Sequence, residues 1–113
     1  MGTEYPVFQA GSEGLSRDEL ERKLRYRVLH LGTKEVEIVI GDYMKINAPA
    51  MDREALLQFE RDVLSQETPV LQKHIINGDA LTEEIDSHYM QELKAYVVKR
   101  KADLRGNVPA EES

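Results

Sequence analysis

The feature that most constrains the fold is an apolar stripe near the start of the chain. Its residues recur at intervals of four, four and three, the spacing of one helical face, at Leu20, Leu24, Val28 and Leu31. In front of the stripe, Ser16 and Glu19 form a capping box, in which both side chains satisfy free amides at a helix start. Gly32 follows the stripe and can take the left-handed conformation that closes a helix. The pattern predicts a helix over residues 17–31.

The next segment carries signals for both a strand and a helix. Residues 36–40 alternate and are rich in β-branched side chains, which is typical of a strand. Val36, Ile40, Tyr43 and Met44 also share one helical face. Because no second strand-like segment is available for pairing, and an isolated strand is not stable, we predict a helix over residues 34–46. Thr33 is its candidate cap.

Three more helices are predicted after the break at residues 48–50. Asp52 is a natural N-cap for a helix that ends near Gln66. Thr68 is the candidate cap of a short fourth helix, with Pro69 at its first helical position. A fifth helix runs to about Lys101. The chain is therefore expected to be a single all-α, five-helix bundle over residues 16–101, with a flexible N-terminal arm at 1–15 and a flexible C-terminal tail at 102–113.

Composition limits the classes of function. The chain has 113 residues and a formal net charge of -6, whereas a general binder of nucleic acid or anionic membranes needs a basic surface. The absence of cysteine excludes disulfides, thiolate zinc sites and thiol catalysis. No stretch approaches the roughly 18 consecutive apolar residues of a membrane helix. We expect no nucleic-acid partner, no membrane insertion and, from the first 14 residues, no secretory signal.

The sequence contains none of the common catalytic patterns. Glycine-rich phosphate loops, the His-Glu-x-x-His zinc pattern and the Gly-x-Ser-x-Gly elbow are missing. We interpret His74, Asp79 and His88 as solvated loop and helix-end residues rather than as metal ligands. The chain is therefore expected to have no catalytic residue, no metal and no tightly bound cofactor of its own.

Basic residues concentrate in the first predicted helix. Residues 16–34 hold six basic side chains and three acidic ones, although the chain as a whole is acidic. Such a charge distribution is suited to steering toward a complementary partner. The alternative is a solvated helix face with Glu19–Lys23 and Glu21–Arg25 ion pairs at four-residue spacing.

The end of this helix resembles a family signature. Residues 24–37 read LRYRVLHLGTKEVE, which is similar to the signature of the succinate dehydrogenase assembly factor 2 family, the SdhE-type flavinators. In that family an arginine-rich first helix runs into an R-G-x-x-E-(L/M)-D turn that opens the second helix. The resemblance extends over roughly residues 16–100 and includes the acidic third helix and the Glu67-Thr68-Pro69 break.

The resemblance implies a role in flavin attachment. Members of the family are five-helix bundles that bind the apo flavoprotein subunit of succinate dehydrogenase or fumarate reductase and promote covalent attachment of FAD to its histidine. The resemblance implies that the assembly factor is not itself the enzyme, because the partner supplies the histidine and the FAD pocket. The chain would then be a monomer when free. It would act in the bacterial cytoplasm, or in the mitochondrial matrix if it is a processed eukaryotic form.

The resemblance also implies which residues bind the partner. Gly32 and Glu35 match the motif glycine and glutamate, and Glu37 replaces the aspartate. The whole expected set consists of residues around this motif: Arg25, Arg27, His30, Leu31, Gly32, Lys34, Glu35 and Glu37. For Glu35 an alternative remains open, since an acid in the first helical turn is also favoured by the helix dipole.

Leu31 departs from the family, which has arginine immediately before the glycine. Leucine offers no planar charged group for carboxylate or phosphate contacts. Arg27 or Lys34 could substitute, the partner could be contacted differently, or the chain could bind without assisting flavin attachment. The fourth helix also lacks the family's aromatic character. Two other classes therefore remain open: a structural or protein-interaction module without flavinylation activity, and a small regulatory or antitoxin-like binder.

Overall fold

The capping box predicted at Ser16 is formed and begins the first helix. In the computed structural model, which describes residues 12–107, the Glu19 N–H donates to the Ser16 hydroxyl at 3.2 Å and the Ser16 N–H donates to the Glu19 carboxylate at 2.9 Å. Helix α1 covers Arg17–Val28 and buries the predicted stripe at Leu20, Leu24 and Val28. The helix was predicted to end at Leu31, but it ends at Val28. The chain leaves the helix at Leu29 and forms a turn before Gly32.

The ambiguous second segment is a helix, as predicted. Helix α2 covers Lys34–Asn47, and its buried face consists of Val36, Val39, Ile40, Tyr43 and Met44. A 3-10 turn over Ala48–Ala50 follows. The Arg17 guanidinium joins the start of α1 to this turn, since it donates to the carbonyls of Ala48 at 2.5 Å and Met51 at 2.8 Å.

The third and fourth helices each widen into a π-helical turn. Helix α3 is α-helical over Arg53–Phe59 and π-helical over Glu60–Leu64, and Asp52 caps it as predicted by accepting from the Ala55 N–H at 2.8 Å. Helix α4 is α-helical over Thr68–Leu71 and π-helical over Gln72–Ile76.

The fifth helix is longer than the sequence indicates. Helix α5 covers His88–Asn107 and so continues past Lys101, the predicted end. The five helices predicted from the sequence are thus all present among the described residues, which contain no strand.

The prediction that Thr68 caps α4 is wrong. Glu67 occupies the N-cap position, and no side chain caps the helix there. The Thr68 hydroxyl donates instead to the Leu31 carbonyl at 2.6 Å. A contact across the bundle has therefore replaced the local one, and it ties α4 to the connection between α1 and α2.

The core lies at the centre of the bundle and includes an aromatic cluster. Phe59 of α3 stacks on Tyr43 of α2 with ring centroids 5.9 Å apart, and it meets Tyr89 of α5 edge-on at 5.5 Å. Tyr96 lies edge-on to Tyr43 at 5.4 Å. Apolar side chains from all five helices are buried around this cluster. The packing fixes the relative positions of α1, α2 and α4, which carry the site described below.

Part of the predicted arm and tail can be described. Residues 12–14 form a helical turn, and the Arg53 guanidinium donates to the carbonyls of Ser12, Glu13 and Leu15 at 3.1, 2.5 and 2.8 Å. Residues 12–15 are thus held against α3. The rest of the predicted arm, and the end of the predicted tail after Asn107, lie outside the described residues. Within the described part of the chain, no helix has the length and apolar character needed to cross a membrane.

Candidate functional site at the junction of helices one and two

The junction, residues 29–35, connects α1 to α2 around a glycine with a positive φ. Gly32 has φ +100°, so the predicted positive φ is confirmed. The predicted role as the residue that closes α1 is wrong, because the C-cap is Leu29, three residues earlier. A Cβ built at Gly32 would meet nothing within 4 Å. The glycine is therefore required by the backbone conformation and not by lack of space.

Two hydrogen bonds hold the junction in this shape. The Gly32 N–H donates to Glu37 Oε2 at 2.7 Å, so a side chain from the first turn of α2 reaches back to the glycine. From the other side, the Thr68 hydroxyl donates to the Leu31 carbonyl. Thr33 occupies the N-cap position, as predicted, but its side chain makes no capping bond. The junction is thus fixed by Glu37 and Thr68.

The exposed face of the junction carries charges that the protein does not use internally. Lys34 and Glu35 are exposed, and neither has a polar partner among the described residues. Glu35 is the second residue of α2, close to the positive end of the helix dipole. His30 is exposed too, with Nδ1 2.9 Å from the Tyr26 carbonyl and its ring 4.3 Å from the Tyr26 ring. The junction therefore presents one cation, one anion and an imidazole.

Arg27 is directed into the protein. Its guanidinium donates to Glu60 Oε2 at 2.9 Å and to the Leu64 carbonyl at 2.8 Å. Arg25, two residues earlier, is exposed and donates to Glu21 Oε2 at 3.0 Å. The two arginines of the predicted set thus differ in surroundings, because only Arg27 joins α1 to the π-helical turn of α3.

The predicted partner residues accordingly fall into two groups. Arg27, Leu31 and Glu37 make contacts within the chain, Leu31 because its half-buried side chain packs against the core. The exposed members are Arg25, His30, Lys34 and Glu35, with Gly32 shaping the turn between them. Contact of any of them with a partner stays a prediction.

Ion pairs neutralise much of the basic surface predicted on α1. The Glu21 carboxylate accepts from Arg17 at 2.7 Å and from Arg25 at 3.0 Å, and the second of these pairs was expected. The expected Glu19–Lys23 pair is not formed, since Glu19 belongs to the capping box and Lys23 lies 3.4 Å from Glu60. Of the two pairs expected for a solvated helix face, only Glu21–Arg25 is therefore formed, and steering of a partner by the basic residues stays a prediction.

A second surface next to the junction was missed by the sequence analysis. An open groove of about 400 Å³ runs between α1 and α2, and Leu29 and Ile38 line it with 61% and 48% of their surfaces exposed. Tyr26 lies beside it and is 64% exposed. The available signal was that Leu29 and Ile38 are large apolar residues that do not belong to the buried stripes of their helices.

The structure corrects one expectation about the histidines. His74 is buried, with 8% of its surface exposed, and its Nδ1 lies 2.9 Å from the Ala80 carbonyl. The interpretation of His74 as a solvated residue is therefore wrong, because its ring joins the end of α4 to the following loop. Within residues 12–107, no group of three or more histidine, aspartate or glutamate side chains could hold a metal ion.

Comparison with known proteins gives the family of this all-α domain. Residues 22–97 match the family described as flavinator of succinate dehydrogenase. They include the junction, helices α2 to α4, and parts of α1 and α5. The FAD assembly factor SdhE of Acetobacter pasteurianus is 32% identical over 82 residues, or 70% of this chain and 74% of that protein. No solved structure gives a significant match. The chain belongs to the flavinator of succinate dehydrogenase family, which confirms the resemblance seen in its sequence.

Proposed function

We propose that this protein is an assembly factor that binds the apo flavoprotein subunit of succinate dehydrogenase, or of fumarate reductase, and promotes covalent attachment of FAD to that subunit. One observation supports the site of binding: Lys34 and Glu35 are exposed and unpaired on a turn whose shape is fixed from within. Family membership supports the choice of partner.

The construction of the junction favours tight docking. Binding loses affinity when a loop must be ordered at the interface. Here the positive φ of Gly32 and the bonds from Glu37 and Thr68 order the loop before the partner arrives. The exposed charges can therefore contact the partner without the entropy cost of ordering a flexible loop.

On this proposal the chain is not the enzyme. The flavoprotein supplies the histidine and the FAD pocket, and this chain stabilises the arrangement in which the two react, which is catalysis by orientation of the reactants. FAD is the partner's cofactor, and this chain is not expected to hold it tightly. We place the action in the bacterial cytoplasm, or in the mitochondrial matrix for a processed eukaryotic form, with the free chain a monomer.

A second candidate function is suggested by Leu31. The leucine side chain packs against the core where family members have an arginine, so the junction lacks that guanidinium. Arg27 cannot replace it without leaving Glu60 and the Leu64 carbonyl. Lys34 is exposed and unpaired and can replace it. If Lys34 does not, the protein is a binding module that does not assist flavin attachment.

Covalent flavin on the partner separates the two functions. The cognate flavoprotein subunit is expressed with FAD, alone, with this protein, or with its Leu31→Arg variant, and in-gel flavin fluorescence is measured after denaturation. We expect more covalent flavin with the wild-type chain. A gain with Leu31→Arg alone would identify a binding module that lost the helper activity. No gain in any lane would contradict the proposed function.

A further inference from the structure

Gly41 lies inside α2, where glycine is less favourable than alanine. The fold does not require it, because a Cβ built there would meet only Val28 Cγ1, at an ordinary contact distance of 3.8 Å. Its φ is not positive either. A helix-weakening residue at a position where alanine fits therefore needs another explanation.

What Gly41 provides is space in the groove beside the junction. It lines the groove together with Val28, Leu29, Ile38 and Met44, so a side chain at this position would occupy part of the groove. Leu29 and Ile38 remain largely exposed at its sides. Neighbouring exposed apolar side chains around an open groove mark an interaction site in a protein whose core is otherwise complete.

The groove is continuous with the junction. Leu29 lines the groove and is also the first residue of the junction, and Glu37 lines the groove while accepting from the Gly32 N–H. Glu35 lies one turn before Ile38 on α2, so these two side chains share a helix face. A partner that contacts Glu35 therefore also lies beside the groove.

The charges around the groove indicate the chemistry of its occupant. Its carboxylates are already engaged, Glu37 by the Gly32 N–H and Asp42 by the Arg100 guanidinium at 2.6 Å. Lys45, which also lines the groove, has no polar partner among the described residues. Arg22 on α1 and Lys34 on α2 have none either. Two carboxylates stand against these three cations, namely the unpaired Glu35 and Glu37, whose partner is a neutral N–H. The cations still outnumber them, and the excess favours carboxylates on the facing surface.

We infer that the groove floored by Gly41 receives a bulky apolar side chain from an acidic segment of the flavoprotein subunit. This inference rests on the proposed function, because it names a second contact of the same partner. The apolar side chain packs between Leu29 and Ile38, and neighbouring carboxylates pair with Lys45. The groove then adds buried apolar area to an interface whose junction is mainly polar.

Filling the groove from within tests the inference. The purified apo flavoprotein subunit is titrated calorimetrically with the full-length wild-type chain and with its Gly41→Leu variant. Because the new side chain occupies the groove, we expect the dissociation constant to rise about tenfold or more, the size of effect seen for a central apolar contact. The control is Ala95→Leu, which places a leucine at an exposed position of α5 outside the groove, and it should bind like the wild type.

Further variants separate the possible outcomes. Gly41→Ala fits the fold and should weaken binding by a smaller factor, which covers the case in which Gly41→Leu disturbs α2. Lys45→Glu should also weaken binding. It should reduce the amount by which added salt raises the dissociation constant, because the variant loses an attractive charge pair with the partner. If the wild type binds and both Gly41 variants bind equally well, the groove is not a contact and the proposed function stands. If the wild type does not bind, the proposed function fails, and this inference fails with it.

Discussion

The carboxylate of Glu37 accepts a hydrogen bond from the backbone N–H of Gly32 at 2.7 Å. This bond joins the first turn of α2 to the one junction residue with a positive φ. Glu37 therefore acts on the shape of the junction from within the chain. Glu37 occupies the last position of the family motif, and its side chain is long enough to reach the Gly32 N–H.

Replacing Gly32 with alanine should destabilise the protein, although the new methyl group would not clash with any neighbouring atom. The Cβ would have open space, so the cost comes from the left-handed backbone, about 1–2 kcal/mol for a residue with a side chain. Urea denaturation followed by circular dichroism measures the loss. An unchanged midpoint would show that the turn relaxes at no cost and that the junction is not held in one shape.

The arginines at positions 25 and 27 should behave differently. Removing the guanidinium in Arg27→Ala leaves the Leu64 carbonyl and part of the Glu60 carboxylate unsatisfied, and we expect a loss of about 1–2 kcal/mol in the free energy of unfolding. Arg25→Ala, which removes one exposed ion pair, should cost less than about 0.5 kcal/mol. Equal effects in urea denaturation would contradict the inward role of Arg27.

The Gly41→Ala variant should be more stable than the wild type. Alanine fits beside Val28, and it lowers the entropy cost of forming α2, so a gain of about 0.5–1 kcal/mol is expected. Thermal unfolding monitored at 222 nm measures the shift. A destabilised variant would show that the fold itself needs the glycine, and this would remove the main argument for an external occupant.

Tyr43 should make stability depend on pH in the alkaline range. Burial, together with the hydrogen bond that its hydroxyl donates to Glu92 at 3.0 Å, raises the pKa of Tyr43 above its ordinary value of 10. The folded chain then keeps this proton at pH values where the unfolded chain has lost it, so stability falls as the pH rises above about 10. Below that pH the phenol is neutral in both states and contributes no slope.

Comparison with Tyr43→Phe isolates this contribution. The difference in the free energy of unfolding between the wild type and the variant should be constant below pH 10 and should shrink above it. Urea titrations at several pH values would measure the difference. If the difference in the free energy of unfolding stays constant through the alkaline range, the pKa of Tyr43 is not raised by folding.

The helices could be predicted because their signals are local. The stripe of α1, the capping box at Ser16 and the N-cap at Asp52 each depend on residues within one or two turns. The positive φ of Gly32 was predicted from its place after the apolar stripe, but the glycine turns the chain toward α2 and does not close α1, which ends at Val28. The start of α2 has local signals for both a strand and a helix. The helix was predicted there because the chain has no second strand-like segment for pairing.

The features that the sequence did not reveal depend on distant contacts. Arg25 and Arg27 are chemically alike, and the inward direction of Arg27 is decided by Glu60, 33 residues away. Thr68 has the composition of a cap, but the Leu31 carbonyl, 37 residues away, takes its hydroxyl. The groove between Leu29 and Ile38 exists only once α1 and α2 are packed together, so no single segment could show it.

The central claim is that the junction contacts the flavoprotein subunit, and Glu35 allows its most direct test. Glu35 and Glu54 are both exposed, both unpaired among the described residues, and both the second residue of a helix, α2 and α3 respectively. Their interactions with the helix dipole are therefore matched, and only Glu35 lies in the junction.

The measurement is a titration of the apo flavoprotein subunit with the wild type, Glu35→Ala and Glu54→Ala. If the junction is the binding site, Glu35→Ala raises the dissociation constant about tenfold or more, as loss of a central charged contact does, and Glu54→Ala leaves it unchanged. Equal affinity for all three proteins would contradict the account and remove Glu35 from the interface.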